Sequence, residues 1–75
     1  MSKWVQMEKR IQGNGEKTIT YGAAGNPNKI ESRKRAIPHA NGMGFWFHTT
    51  YFLIRPDGTE QEYWKRCDAE KAAET

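Results

Sequence analysis

Apolar and polar residues alternate over WVQMEKRIQ, residues 4–12. Val5, Met7 and Ile11 fall on one side, and Gln6, Glu8 and Arg10 on the other. A period of two predicts a half-buried strand, with Trp4 on its polar side. KTITY, residues 17–21, is rich in β-branched and aromatic residues and predicts a second strand. Gly13-Asn14-Gly15 closes the two into a hairpin. GAAGNPN, residues 22–28, reads as a loop and is expected to be mobile.

KIESRKRAI, residues 29–37, has too few apolar positions to dock as a helix, and Pro38 disfavours helix at Ile37. Its charges suit an exposed edge strand, held near the sheet by Ile30 and Ile37. After the loop PHANGMG, FWFHTTYFLI at residues 45–54 is the strongest strand signal, and the expected central strand. RPDG at 55–58 predicts a type I turn, with Pro56 at its second position and Gly58 free to take positive φ. TEQEYW at 59–64 is the return strand. Ala69, Ala72 and Ala73 then share one face of a short helix, with Asp68 near its start to cap it. Such a helix is unstable alone and must lean on the sheet, with Cys67 as a small core residue beneath it.

The predicted fold is one α+β domain over residues 1–75. It is a small antiparallel sheet of about four strands with one short C-terminal helix packed on one face.

The 45–54 strand departs from the usual alternation. Phe45, Phe47, Tyr51 and Leu53 would lie on one side, and Trp46, Phe52 and Ile54 on the other, so both sides are apolar. A short helix covers one side. The other is either buried in a barrel-like sheet or left open for use.

Composition narrows the function. A chain of 75 residues with a single cysteine forms no internal disulfide and suits a reducing cytosol. It carries neither an apolar run of ~18 residues nor the apolar core of a signal peptide, so a cytoplasmic protein that does not enter the membrane is expected. His39, His48 and Cys67 are scattered, without metal-ligand spacing or a nucleophile motif. Neither an enzyme nor a cofactor or metal is expected.

The net charge of +3 is uneven. Residues 1–56 hold nine Lys/Arg against three Glu, whereas residues 57–75 hold three against six Asp/Glu. A basic body orients toward an anionic partner. Lys29, Arg33, Lys34 and Arg35 can meet phosphates or protein carboxylates, joined by His39 and Arg55. Trp46 and Trp64 can serve as interface anchors or stacking platforms.

GMGFWF, residues 42–47, resembles the glycine-aromatic strand motif of cold-shock and RRM domains. It lacks that motif's flanking basic residue, and the chain has too few helices for an RRM. In size, charge and architecture, including the hairpin followed by DAEKAAE, the chain resembles small bacteriophage proteins that redirect host machinery. That resemblance implies a monomeric, non-enzymatic regulator of a host complex, with RNA polymerase as the leading partner. Inhibition or antitermination would be its effect. Direct binding of single-stranded nucleic acid and inhibition of a host defence nuclease are the competing readings.

Overall fold

The computed structural model describes residues 3–74. The elements run β1 (Val5–Ile11), β2 (Lys17–Gly22), β3 (Lys29–Pro38), β4 (Phe45–Ile54), β5 (Glu60–Tyr63) and α1 (Arg66–Ala73). The strands form one open antiparallel sheet in the order β1-β2-β3-β4-β5. α1 packs against β3, β4 and β5. The α+β class and the single C-terminal helix agree with the sequence reading.

The edge placement of β3 does not. β3 is the middle strand of five, paired with β2 on one side and along its whole length with β4 on the other. Its charges are accommodated because side chains of a sheet left open on one face reach water from a central strand. Ile30, on its other face, is fully buried.

Directly paired residues share a face, so the register defines two surfaces. The helix face carries Tyr21, Ile30, Ser32 and Leu53 toward one end, and Ile19, Lys34, Phe47 and Phe45 toward the other. The open face carries Thr18, Arg33, Arg35, His48 and Trp46.

A register shift between Gln6 and Glu8 places a β-bulge in β1. The bulge breaks the expected Val5-Met7-Ile11 stripe, because one extra residue reverses the alternation. Val5 pairs with Gly22 and Ile11 with Lys17, which lie on opposite faces. Trp4 thereby reaches the helix face rather than the polar one, and it packs against the core.

That core is small and lies at one end. Ile30, Leu53, Ala69 and Ala73 are buried, with Trp4, Tyr21, Tyr51, Tyr63 and Ala72 packed around them. The alanines at i and i+4 set one helix face against the sheet, and their small size lets the backbone approach closely. Cys67 lies two residues before Ala69, on the outer side of the helix, and is exposed rather than core. Asp68 sits in the first turn, but the N-cap is Lys65, and its side chain makes no capping bond.

The 22–28 segment fastens the end of α1. Asn28 Nδ2 and Asn26 Nδ2 both donate to the Ala73 carbonyl, at 2.9 and 3.2 Å. These bonds serve a carbonyl that the helix itself cannot satisfy. On the near side, the Arg66 guanidinium stands 4.9 Å from the Tyr21 ring centroid, and Arg66 Nε donates to Glu70 at 2.9 Å.

The β4–β5 turn forms as its sequence predicts. Gly58 N–H donates to the Arg55 carbonyl at 2.9 Å, and Gly58 takes φ 91°.

The molecule measures 45 × 22 × 20 Å, and its radius of gyration is 13.9 Å. A compact domain of this length has about 11 Å. The excess is sheet that extends beyond the helix, where no described helix covers either face.

Candidate docking surface

The uncovered end holds the turn between β1 and β2, the β3–β4 hairpin tip and the first half of β4. Phe45, Trp46 and Phe47 are 54%, 45% and 39% exposed. The apolar character of both β4 faces is therefore resolved by exposure at this end, not by a closed barrel.

On the open face, His48 stands between two tryptophans. Its ring centroid is 5.8 Å from Trp46 and 5.6 Å from Trp64, edge to face in both cases. Trp64 lies just past β5 and is 78% exposed. On the helix face, Phe45 and Phe47 make a T-shaped pair at 5.5 Å, and the Lys34 ammonium lies 4.6 Å from the Phe47 ring centroid. Gly15, at φ 91°, lets the turn approach that ring; a Cβ there would come within 2.9 Å of it.

The basic segment does not act as one patch. Successive residues of a strand point to opposite faces, so Lys34 parts from Arg33 and Arg35. Arg33 is committed inside the sheet. Its Nη2 donates to both Glu60 oxygens at 3.1 and 3.2 Å, its Nε pairs with Glu31, and its guanidinium lies 4.1 Å from the Phe52 ring centroid. Partial burial opposes its charge, but the bonds and charges of Glu31 and Glu60 outweigh this and raise its pKa further.

Arg35 bonds the Lys34 and Lys17 carbonyls at 3.2 and 3.4 Å and Thr18 Oγ1 at 3.2 Å. Lys29 lies at the far end of β3, beside an apolar groove lined by Val5, Met7 and Ala23. Arg55 is in the β4–β5 turn, away from the tryptophans. His39 is exposed at the hairpin tip, where its N–H donates to the Gly44 carbonyl at 3.1 Å.

Of the residues singled out from sequence, Trp46 and Trp64 are gathered, through His48, with Arg35 on the neighbouring strand. Lys29, Arg55 and the engaged Arg33 are not part of that group. The sequence reading expects the aromatics of 45–64, Phe45 and Phe47 among them, to supply contacts, but it does not single out His48. The i, i+2 spacing of Trp46 and His48 is the local signal, but the second edge-to-face contact needs Trp64, just past β5.

Charges on the open face balance. Arg10, Lys29, Arg33 and Arg35 share it with Glu8, Glu31, Glu60 and Glu62. A phosphate backbone laid across this face would meet carboxylates as often as cations. The exposed end of the helix face differs: Lys17 and Lys34 lie there among Ile19, Phe45 and Phe47.

Glu16, the residue before Lys17, engages its carboxylate within the fold. Its Oε2 accepts the Ala36 N–H at 2.9 Å, and its Oε1 accepts from Asn14 at 3.0 Å. β2 begins at Lys17, opposite Lys34, so Ala36 lies beyond its end and the Glu16 side chain takes the place of a ladder partner.

The Ala36 bond, then the Asn14 bond, hold the Glu16 carboxyl below its ordinary range. Its stabilisation is therefore present above the ordinary carboxylate pKa and is lost as pH falls through the depressed folded value. Glu16→Gln is expected to flatten the acid limb of a stability–pH profile, measured as urea midpoints from about pH 5 to about pH 2. An acid limb as steep as in the wild type would contradict this role.

Among the described residues, no cluster of His, Cys, Asp or Glu side chains is arranged to hold a metal ion. No described helix is long and apolar enough to cross a membrane. Comparison with known proteins gives no match to a family model, to a curated protein or to a solved structure.

Proposed function

We propose that this chain is a non-enzymatic docking protein that binds a larger macromolecular complex through the aromatic end of its sheet. The observation that carries this reading is the separation of core from aromatics. Ile30 and Leu53 are fully buried at one end, while Phe45, Trp46 and Phe47 stand exposed at the other, and exposed Trp64, just past β5, is joined to Trp46 through His48. Exposed rings in such a group contribute nothing to the fold's own core, and tryptophans and arginines dominate interface energetics. The balanced charge of the open face favours a protein surface over a phosphate chain. Its resemblance to small phage regulators in size, charge and architecture makes bacterial RNA polymerase the first complex to test.

The test is co-elution of the purified chain with purified bacterial RNA polymerase, with capture from bacterial lysate beside it. Wild type is expected to form a specific complex. Each anchoring tryptophan replaced, Trp46→Ala or Trp64→Ala, is expected to weaken it ~30-fold, the loss typical of a hot spot. Arg33→Ala is expected to act mainly through stability, because its bonds are internal. Absence of any specific protein complex, or one indifferent to both tryptophans, overturns the proposal. Oligonucleotide binding that falls steeply with salt would instead favour nucleic acid.

A further inference from the structure

We propose that the outer edge of β4 from Phe45 to Thr49 is a strand-addition site for an extended acidic segment of a protein partner. This rests on the docking reading above and specifies how docking is achieved.

β3 pairs with all of β4, from Phe45 to Ile54. β5 pairs only with Tyr51–Ile54, and the chain then turns away into α1. The first half of β4 is therefore an edge, although the second half is not. The direction of its backbone groups follows from the turn. Arg55 N–H donates to the Thr59 carbonyl at 3.0 Å, across the β4–β5 side. Alternate residues of a strand turn their N–H and C=O to the same side. Tyr51 and Leu53 thus face β5, whereas Phe45, Phe47 and Thr49 present the same groups where β5 is missing.

Exposed edges recruit other strands, and proteins blunt them with charge, proline, bulges or brevity. The remaining edges of this sheet are blunted in these ways. β1 carries Glu8, Lys9, Arg10 and a bulge. β5 is four residues long and carries Glu60 and Glu62. Phe45–Thr49 has no charged residue, no proline and no register shift. Main-chain bonds to such an edge supply affinity, and alternate side chains supply selectivity. An added strand would lie beside Phe45 and Phe47 on one face and beside Trp46 and His48 on the other, with Trp64 at its closed end.

Charge selects the occupant. Lys34 stands over Phe47 with Lys17 as its cross-strand partner, whereas the Arg35 guanidinium is turned toward β2. Glu16 is occupied by Ala36 and Asn14. The surroundings therefore favour carboxylates on the incoming strand. A second copy paired about Phe47 would instead bring two Lys34 ammonium groups to one seam.

The test uses three synthetic octapeptides and the full chain. The first alternates valine or threonine with glutamate. The second replaces each glutamate with lysine. The third is the acidic peptide N-methylated at every residue, so that neither of its edges can donate to the ladder. Amide exchange by NMR and tryptophan fluorescence are the readouts.

The acidic peptide is expected to bind and to slow exchange at Phe45, Phe47 and Thr49. The N-methylated peptide is expected to bind about tenfold more weakly or worse, the loss of one or two net hydrogen bonds. The lysine peptide is also expected to bind more weakly. Thr49→Pro removes an outward N–H, a place where strands tolerate proline, so it should fold and lose peptide binding. If that variant does not fold, the N-methylated arm decides.

The proposal is overturned if the acidic peptide protects none of the three amides up to ~1 mM, or if N-methylation has no effect. It is overturned equally if the chain protects them by self-association, or if oligo-dT outcompetes the peptide. A partner complex lost with Trp46→Ala and Trp64→Ala but unaffected by Thr49→Pro would retain the docking reading and remove strand addition.

Discussion

Leu53→Ala is expected to leave a large fraction of chains unfolded at 25 °C. Leu53 and Ile30 are the largest fully buried side chains among the described residues, and they meet beneath α1. A leucine-to-alanine change at such a site costs about 2–5 kcal/mol, from lost transfer energy and the cavity left behind. A domain of this size rarely draws more than ~3–5 kcal/mol from its core. The substitution therefore removes an amount comparable with the whole stability. Denaturant unfolding followed by circular dichroism checks it, with Phe47→Ala as the comparison. Phe47 is 39% exposed and distant from the helix, so its truncation should change the midpoint far less. Equal shifts for the two variants would mean that the core is not confined to the helix end.

Removing the helix is expected to have a still larger effect. A chain ending at Trp64 loses Ala69 and Ala73, which cover Ile30 and Leu53. It also loses the Ala73 carbonyl that Asn26 and Asn28 hold. The sheet would then have two uncovered faces and no buried apolar layer, and a sheet needs one face packed to persist. The truncated chain should give a disordered circular dichroism spectrum and rapid amide exchange throughout. A cooperative unfolding transition in it would show that cross-strand contacts alone sustain the sheet. The same loss explains why eight helical residues, too few to be helical alone, are helical here. Among the described residues, helix and sheet complete each other's apolar core.

The strands at 17–21, 45–54 and 59–64 and the closing helix were legible because alternation, β-branching and turn residues are local signals. RPDG specified its turn through proline and glycine backbone preferences, and Gly58 adopts the positive φ this requires. The alanine stripe marked the helix face that is buried. β1 was legible as a strand but not in its facing, since a single bulge at Met7 reverses everything before it. Charge count alone places β3 at an edge, because it equates charge with exposure, whereas β3 is the middle strand. A central strand in a sheet with one wet face can carry such charges if partners lie across the strand. Arg33 finds Glu31 beside it and Glu60 twenty-seven residues away, a pairing no local pattern encodes.

The surface proposed for docking divides in the same way. Its material, three aromatic residues in sequence followed by His48, is plain in the chain, as is the apolar character of both β4 faces. Which of those positions stay exposed depends on where β5 stops and where α1 lies, and both are set by packing on Ile30 and Leu53. Local sequence specifies backbone conformation and side-chain alternation, because those depend on near neighbours. Strand order, the partner of each charge and the half of β4 left without a neighbour depend on contacts between distant residues, and they exist only once the chain has folded.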